Sequence, residues 1–131
     1  MPRTVLRPKS LEFQPRPTFP YSPGAQSGYM VFTAGQVAWD HTGNITGVGD
    51  VRSQTIQTLT NVKAVLEEGG ATLGDVLKCN VYLKDMNDFQ IMNEEFAKFF
   101  PDNPPARTTV QTPMADPEML VEIEAIAYIG S

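Results

Sequence analysis

Two stretches late in the sequence decide the predicted fold: residues 104–111, PPARTTVQ, and residues 120–128, LVEIEAIAY. Both favour β-structure and predict two strands joined by a short link. The first strand carries a lone cation, Arg107, and the second carries Glu122 and Glu124 inside an otherwise apolar run. Because a charge in an apolar strand costs free energy unless it is paired or used, we expect the chemistry of the protein here.

Alternation along the second strand assigns its side chains to two faces of a sheet. A tight turn centred on residues 114–115 would place Arg107 opposite Glu122, with Glu124 diagonal to Arg107. One face of the strand is apolar and the other is mixed; the apolar set is Val121, Ile123, Ala125, Ala127 and Ile129, and the mixed set is Leu120, Glu122, Glu124, Ile126 and Tyr128.

The Arg107–Glu122 pair has two interpretations. Spacing alone favours a structural ion pair. The alternative is a site in which Arg107 binds a substrate carboxylate while Glu122 holds a water or moves a proton. The double proline before Arg107 and the mixed face favour a functional role, and Pro113 and Pro117 leave open a wider turn that would change the register.

Composition limits the function classes. The 131 residues predict one domain, 1–131, with 41% hydrophobic and 19% charged residues, as in globular proteins. No apolar run is long enough for a membrane span, and the single cysteine, Cys79, favours a reducing compartment and therefore the cytoplasm. A net charge of −5 with scattered basic residues argues against nucleic-acid binding, but not against a small anion. One histidine, His41 in a turn, and one cysteine make a catalytic triad or a zinc site improbable.

Periodicity predicts the other elements. Strands are expected at residues 2–7, 29–35 and 76–83, with 37–39 as a candidate continuation. A helix should begin after an Asp50 N-cap and end at Gly69, with Ile56 and Val65 widening its apolar stripe. A second helix is expected over about 87–100, with its stripe formed by Phe89, Met92, Phe96 and Phe99 or Phe100. Two helices on one face of a mixed sheet make an α+β sandwich whose open face favours self-association.

Two further positions have candidate roles. Residues 8–24 contain five prolines and predict a long loop; Tyr21 within it is interpreted first as a surface anchor, although long loops are often functional. Gly35, at the end of a predicted central strand, indicates a bulge or a close backbone approach. Cys79 is interpreted as a packed thiol.

The chain resembles the Rid family, also called YjgF/YER057c/UK114. The resemblance covers nearly the whole chain, and the order of its motifs makes it specific. The residues that carry it are 20–21 (PY), 33–36 (TAGQ), 61–64 (NVKA), 81–89 (VYLKDMNDF), 92–93 (MN), 104–110 (PPARTTV) and 121–127 (VEIEAIA).

The resemblance implies a chorismate-mutase-like α+β fold, assembled as a homotrimer with three sites at the subunit interfaces. It also implies an enamine/imine deaminase that uses no cofactor or metal. Its substrate would be a small carboxylate-bearing imine of the 2-aminoacrylate type, hydrolysed to a 2-keto acid and ammonia.

By the family pattern, Arg107 matches the arginine that binds the substrate carboxylate, and Glu122 matches the glutamate that positions water. Glu124 is its structural neighbour. The pattern assigns four further residues to the pocket: Tyr21, Gly35, Asn93 and Thr109, the last standing where many members have cysteine or serine.

Three positions depart from the family pattern: Ala34 replaces a common serine, and Phe19 and Pro23 alter the loop around Tyr21. These departures keep other functions open. Two such functions are a pathway-specific deaminase of an aminoacrylate or aminomuconate intermediate and a non-catalytic trimer that binds a small carboxylate or a protein. A third alternative, an endoribonuclease-type translation inhibitor, is implied by the resemblance because some family members are described as such, although the acidic charge argues against it.

Overall fold

The computed structural model describes residues 2–12 and 19–130, which form a mixed sheet packed on two helices. Residues 13–18 of the predicted proline loop lie outside the described residues. The strands and helices, in chain order, are β1 (Thr4–Leu6), β2 (Gly24–Ser27), β3 (Met30–Thr33), α1 (Val51–Glu68), β4 (Val76–Leu83), α2 (Phe89–Phe99), β5 (Ala106–Gln111) and β6 (Val121–Tyr128). The α+β class is confirmed.

The strand order is β1-β2-β3-β6-β4-β5. Strands predicted at 2–7, 29–35 and 76–83 are present, two of them shorter than expected. β2 was not predicted, because its sequence, GAQS, lacks the β-branched and aromatic residues that indicate strands. Residues 37–39 form no strand; Gln36 and Trp39 make only isolated bridges, to Ile123 and Ile45.

The predicted β5–β6 hairpin is wrong, because β4 lies between the two strands. β5 pairs parallel to β4, with α2 as the crossover, and β6 pairs antiparallel on the other side of β4. The link at residues 112–120 crosses the end of β4, where the Lys84 amide donates to the Leu120 carbonyl at 3.0 Å. Arg107 therefore lies opposite Cys79 and Glu122 opposite Tyr82, so neither predicted contact of Arg107 exists in one chain.

The predicted faces of β6 are correct. Its apolar residues are buried against α1 and α2, whereas Glu122 and Glu124 lie on the open face of the sheet. Cys79 is fully buried in this core, and burial raises its pKa to about 12, which confirms the packed thiol. Much of the open face is apolar and exposed, including Val5, Phe32 and Tyr128.

Helix α1 begins and ends as predicted. The Asp50 carboxylate accepts hydrogen bonds from the Arg52 and Ser53 amides, and Gly69 is the C-cap. Its apolar stripe packs on the sheet, except that Ile56 lies on the outer side and is exposed. No helix among the described residues is both long enough and apolar enough to span a membrane.

A row of buried amide side chains on α1 was missed in the sequence. Gln54 donates to the Glu118 carbonyl at 2.8 Å and accepts from the Leu120 amide at 2.9 Å. About two turns further along, Asn61 donates to the carbonyls of Val37 and Trp39 at 3.0 and 2.9 Å. These amides replace secondary-structure partners for two loops, so α1 fixes the link before β6 and the loop after β3.

Replacing Asn61 with alanine should lower the free energy of unfolding by about 1–3 kcal/mol, since one buried and one partly buried carbonyl lose their donor. Chemical denaturation would measure the change. Thr60→Ala is the matched control: its hydroxyl is exposed and bonds only within the helix, to Ile56, so its effect should be much smaller. Equal losses in both variants would contradict the assignment.

Helix α2 is preceded by a 3-10 turn at Met86–Asp88 and packs through Met92 and Phe96, as predicted; Phe89 instead remains partly exposed. It also carries a buried carboxylate, Glu95, with 2% exposure. Glu95 pairs with Arg52 of α1 and with Lys98, and these cations outweigh the cost of burial and lower the pKa of Glu95. The ion pairs join the two helices.

Candidate functional site

Arg107 lies on the helix face of the sheet, beneath α2. Its guanidinium carbon is 4.8 Å from the ring centroid of Phe96 and 5.6 Å from that of Phe89. The nearest polar contact is the Met92 sulfur, 3.9 Å from Nη1. Burial lowers the pKa of Arg107, but a guanidinium stays charged at neutral pH. Among residues 2–12 and 19–130, no acidic side chain pairs with Arg107.

A cavity of about 570 Å³ opens beside this arginine, between α2 and the double proline that precedes β5. Asn93 lines it with Arg107. Buried oxygens of Asn93 (Oδ1) and Thr109 (Oγ1) have no hydrogen-bond partner among the described residues. Thr109 is two positions beyond Arg107 on β5 and shares its face. An unneutralised cation and two orphaned oxygens are groups that a polar ligand can satisfy.

Glu122 lies on the other face of the sheet, in a second group with Tyr21 and Gly35. Tyr21 lines a cavity of about 360 Å³ together with Thr33 and Ala34, which precede Gly35 in the chain. Burial, with a smaller effect of the Glu122 charge, raises the pKa of Tyr21. Burial, with a smaller effect of Glu124, raises the pKa of Glu122 itself. A carboxyl with a raised pKa can exchange a proton nearer to neutral pH than an ordinary one.

A local detour of the chain brings Gly35 to Glu122. β3 stops pairing with β6 after Phe32, and the Thr33 hydroxyl accepts from the Ala125 amide at 3.0 Å in place of the ladder. Pairing resumes at Gln36 with Ile123. The chain bulges between these two points, and Gly35 in the bulge lies against the Glu122 carboxylate.

The close approach predicted for Gly35 is confirmed, because a β-carbon added there would overlap the Glu122 carboxylate and lie 2.8 Å from its Cδ. Gly35→Ala should therefore displace this carboxylate and lower any activity that depends on it by about 10- to 100-fold. Steady-state kinetics would measure the loss. Gly74→Ala is the control, since its added carbon meets only Thr72 Oγ1 at 3.5 Å.

The six sequence-predicted site residues thus form two groups rather than one. Arg107, Asn93 and Thr109 lie on the helix side, and Tyr21, Gly35 and Glu122 lie on the open side. The sheet separates them, so one chain does not bring Arg107 to Glu122. The rings of Phe89 and Phe96, which contact Arg107, are predicted from the sequence only as part of the core. Such rings also stabilise a half-buried cation that has no acidic partner.

A family model described as endoribonuclease L-PSP matches residues 12–129. The chain belongs to this family. The sequence motifs indicate the same family, because the YjgF gene product of Escherichia coli is among the solved structures that this chain resembles. That structure aligns with a TM-score of 0.85 and 34% identity, and the alignment covers 95% of this chain and 98% of that one.

Two other relatives extend the comparison. A RutC family protein of Pyrococcus horikoshii is 48% identical over 118 residues, which cover 89% of this chain and 93% of that protein. The structure of E. coli TdcF with bound serine aligns with a TM-score of 0.86 and 34% identity, covering 97% of this chain and 99% of that one. The fold of these Rid and L-PSP proteins is therefore the fold of this chain.

Proposed function

We propose that this Rid-family protein is an enamine/imine deaminase that hydrolyses 2-aminoacrylate-type intermediates to 2-keto acids and ammonia. The observation that carries the proposal is the free charge of Arg107, held on two aromatic rings at the side of a cavity. A planar guanidinium binds a carboxylate through two parallel hydrogen bonds. The bound serine of TdcF is an amino acid, which supports a carboxylate-bearing ligand in this family.

The two groups of residues complete one site only if two copies meet. We propose a homotrimer in which the Arg107 group of one copy faces the Glu122 group of the next, giving three sites. The exposed apolar residues of the open face support association, since a monomer would leave Phe32 and Tyr128 in water. The unpaired edge strand β5, which carries Arg107, provides a second surface for contact.

The proposed reaction begins with a 2-imino acid, the tautomer of the enamine, whose carboxylate binds Arg107. Glu122 orients a water toward C2 of the imine and accepts its proton as the carbon–oxygen bond forms. The resulting carbinolamine loses ammonia and leaves the 2-keto acid. A protonated imine is already electrophilic, so orientation and one proton acceptor can supply much of the acceleration. The chemistry requires no cofactor.

The loop around Tyr21 bears on which imine is used. Phe19, where the family commonly has glycine, stacks on Tyr21 with ring centroids 6.1 Å apart, and both rings are exposed. This pair adds aromatic surface beside the Glu122 group. It favours a substrate with some apolar surface over the smallest imine, and leaves a pathway-specific aminoacrylate or aminomuconate intermediate as the alternative substrate.

The test is ammonia and keto-acid release from freshly generated 2-aminoacrylate and from a larger 2-imino acid, compared with spontaneous hydrolysis. Turnover above that background is expected with both, and with a higher kcat/KM for the larger one. Binding of a 2-keto acid without turnover of either imine would replace the enzyme with a binding trimer.

The family description also names an endoribonuclease. The net charge of −5 and the scattered basic residues weigh against that activity here, since phosphate contacts need a local positive surface. An RNA-binding titration at two salt concentrations would separate the functions. Tight binding that weakens steeply with salt would favour the endoribonuclease.

A further inference from the structure

We propose that Glu124, held by Tyr82 and Asn80, is a positioning residue that adds to the effect of burial in keeping a proton on Glu122. The inference rests on the proposed deaminase function, in which Glu122 exchanges a proton with water. It extends that function by giving a role to a residue that the family pattern leaves as a structural neighbour.

The register of β4 and β6 carries the argument. Tyr82 lies directly opposite Glu122, and Asn80 lies opposite Glu124. The Tyr82 hydroxyl nevertheless donates to Glu124 Oε1, at 2.9 Å, and Asn80 Nδ2 donates to Glu124 Oε2 at 3.4 Å. Because of this diagonal hydrogen bond, the Tyr82 hydroxyl is bonded to Glu124 rather than to Glu122, the residue directly opposite it.

Glu122 is left without a hydrogen-bond donor among the described residues, although its carboxylate is half-buried. Glu124 is two residues away on the same strand and face, and two donors hold it in place. A negative charge on this neighbour is a like charge for Glu122, and a like charge nearby disfavours ionisation of a carboxyl. The direction agrees with the raised pKa of Glu122.

The other groups around Glu122 do not reverse this effect. From the proline loop, Tyr21 is neutral at physiological pH, and its raised pKa keeps it so. From β4, Tyr82 is also neutral, with its pKa raised by its hydrogen bond to Glu124. Residues 34–36 contribute no charge. In the trimer, Arg107 of the neighbouring copy would oppose Glu124, but the substrate carboxylate neutralises that arginine.

The consequence for the reaction is a Glu122 carboxylate that is a stronger base than an ordinary glutamate. In its ionised form it accepts a proton from the attacking water, and the carboxylic acid so formed returns that proton to the departing nitrogen, so one carboxyl serves both steps. With Glu124 uncharged, Glu122 would be ionised to lower pH and would accept the proton less readily.

The decisive experiment is a carboxyl ¹³C NMR titration of Glu122 in the assembled protein, with the resonance assigned by its loss in Glu122→Gln. Replacing Glu124 with glutamine keeps the shape and an acceptor for Tyr82 but removes the charge. The titration midpoint of Glu122 should fall by about 0.5–1 pH unit. The acidic limb of kcat/KM should move by the same amount.

Glu67→Gln, on the exposed face of α1, is the matched control for a unit change in net charge and should leave the midpoint where it is. Tyr82→Phe, which frees Glu124, should give a smaller shift than Glu124→Gln. An unchanged midpoint in folded Glu124→Gln would overturn the proposal and leave Glu124 structural. If the midpoint shifts but the protein hydrolyses no imine, the coupling between Glu124 and Glu122 stands and the proposed deaminase function is rejected.

Discussion

Mixing two inactive variants, Arg107→Ala and Glu122→Gln, should restore imine hydrolysis after the subunits are exchanged. Each variant alone should lose at least about 10²-fold in kcat/KM, because one lacks the carboxylate anchor and the other the proton acceptor. The two residues lie on opposite faces of one sheet, and the proposed trimer site takes its arginine from one copy and its glutamate from another.

The recovered activity has a definite size. In a random 1:1 mixture, a site is intact when its Arg107 comes from a copy of the Glu122 variant and its Glu122 comes from a copy of the Arg107 variant. In a closed ring, about one site in four meets both conditions. Denaturing and refolding the mixture, followed by an ammonia assay, measures it. Mixing without exchange of subunits is the control. No recovery in mixed assemblies of native size would exclude a site shared between copies.

Replacing Glu122 with glutamine should also change stability, in a direction set by its raised pKa. Between the ordinary glutamate pKa and the raised folded value, the folded protein binds more protons at this site than the unfolded chain. Its stability therefore falls as pH rises through that window. Above the window, Glu122→Gln should be more stable than the parent protein, and at a pH below both values the difference should disappear.

Thermal unfolding at three pH values, one of them below the ordinary glutamate pKa, would measure this crossover. Glu118→Gln, on the exposed link before β6, is a control that should show no such pH dependence. If Glu122→Gln is inactive and equally destabilised at every pH, Glu122 has a structural role rather than a catalytic one.

Much of the architecture follows from local patterns. Asp50 caps α1 and Gly69 ends it because side-chain and backbone preferences there agree with the fold. The two faces of β6 were likewise predictable from alternation alone. The six candidate site residues were predicted from the family resemblance, and the structure places three of them on each face of the sheet.

The pairing of β5 and β6 was not predictable from the two strands themselves. Their sequences fit a hairpin, but α2 returns β5 to the side of β4, and a long link then carries the chain across to the opposite side. That topology depends on non-local packing. The same error concealed the main feature of the candidate site, that Arg107 and Glu122 face away from each other.

The side-chain amide of Gln54 helps to keep strand β6 in register. A slip of one residue in β6 would exchange its two faces and turn two carboxylates into the apolar core, so the register of this strand has to be held. Gln54 holds the chain at Leu120 from both sides, immediately before β6 begins. A helix side chain thus acts as a register stop, and variants that lose it should misfold or aggregate before they lose affinity for any ligand.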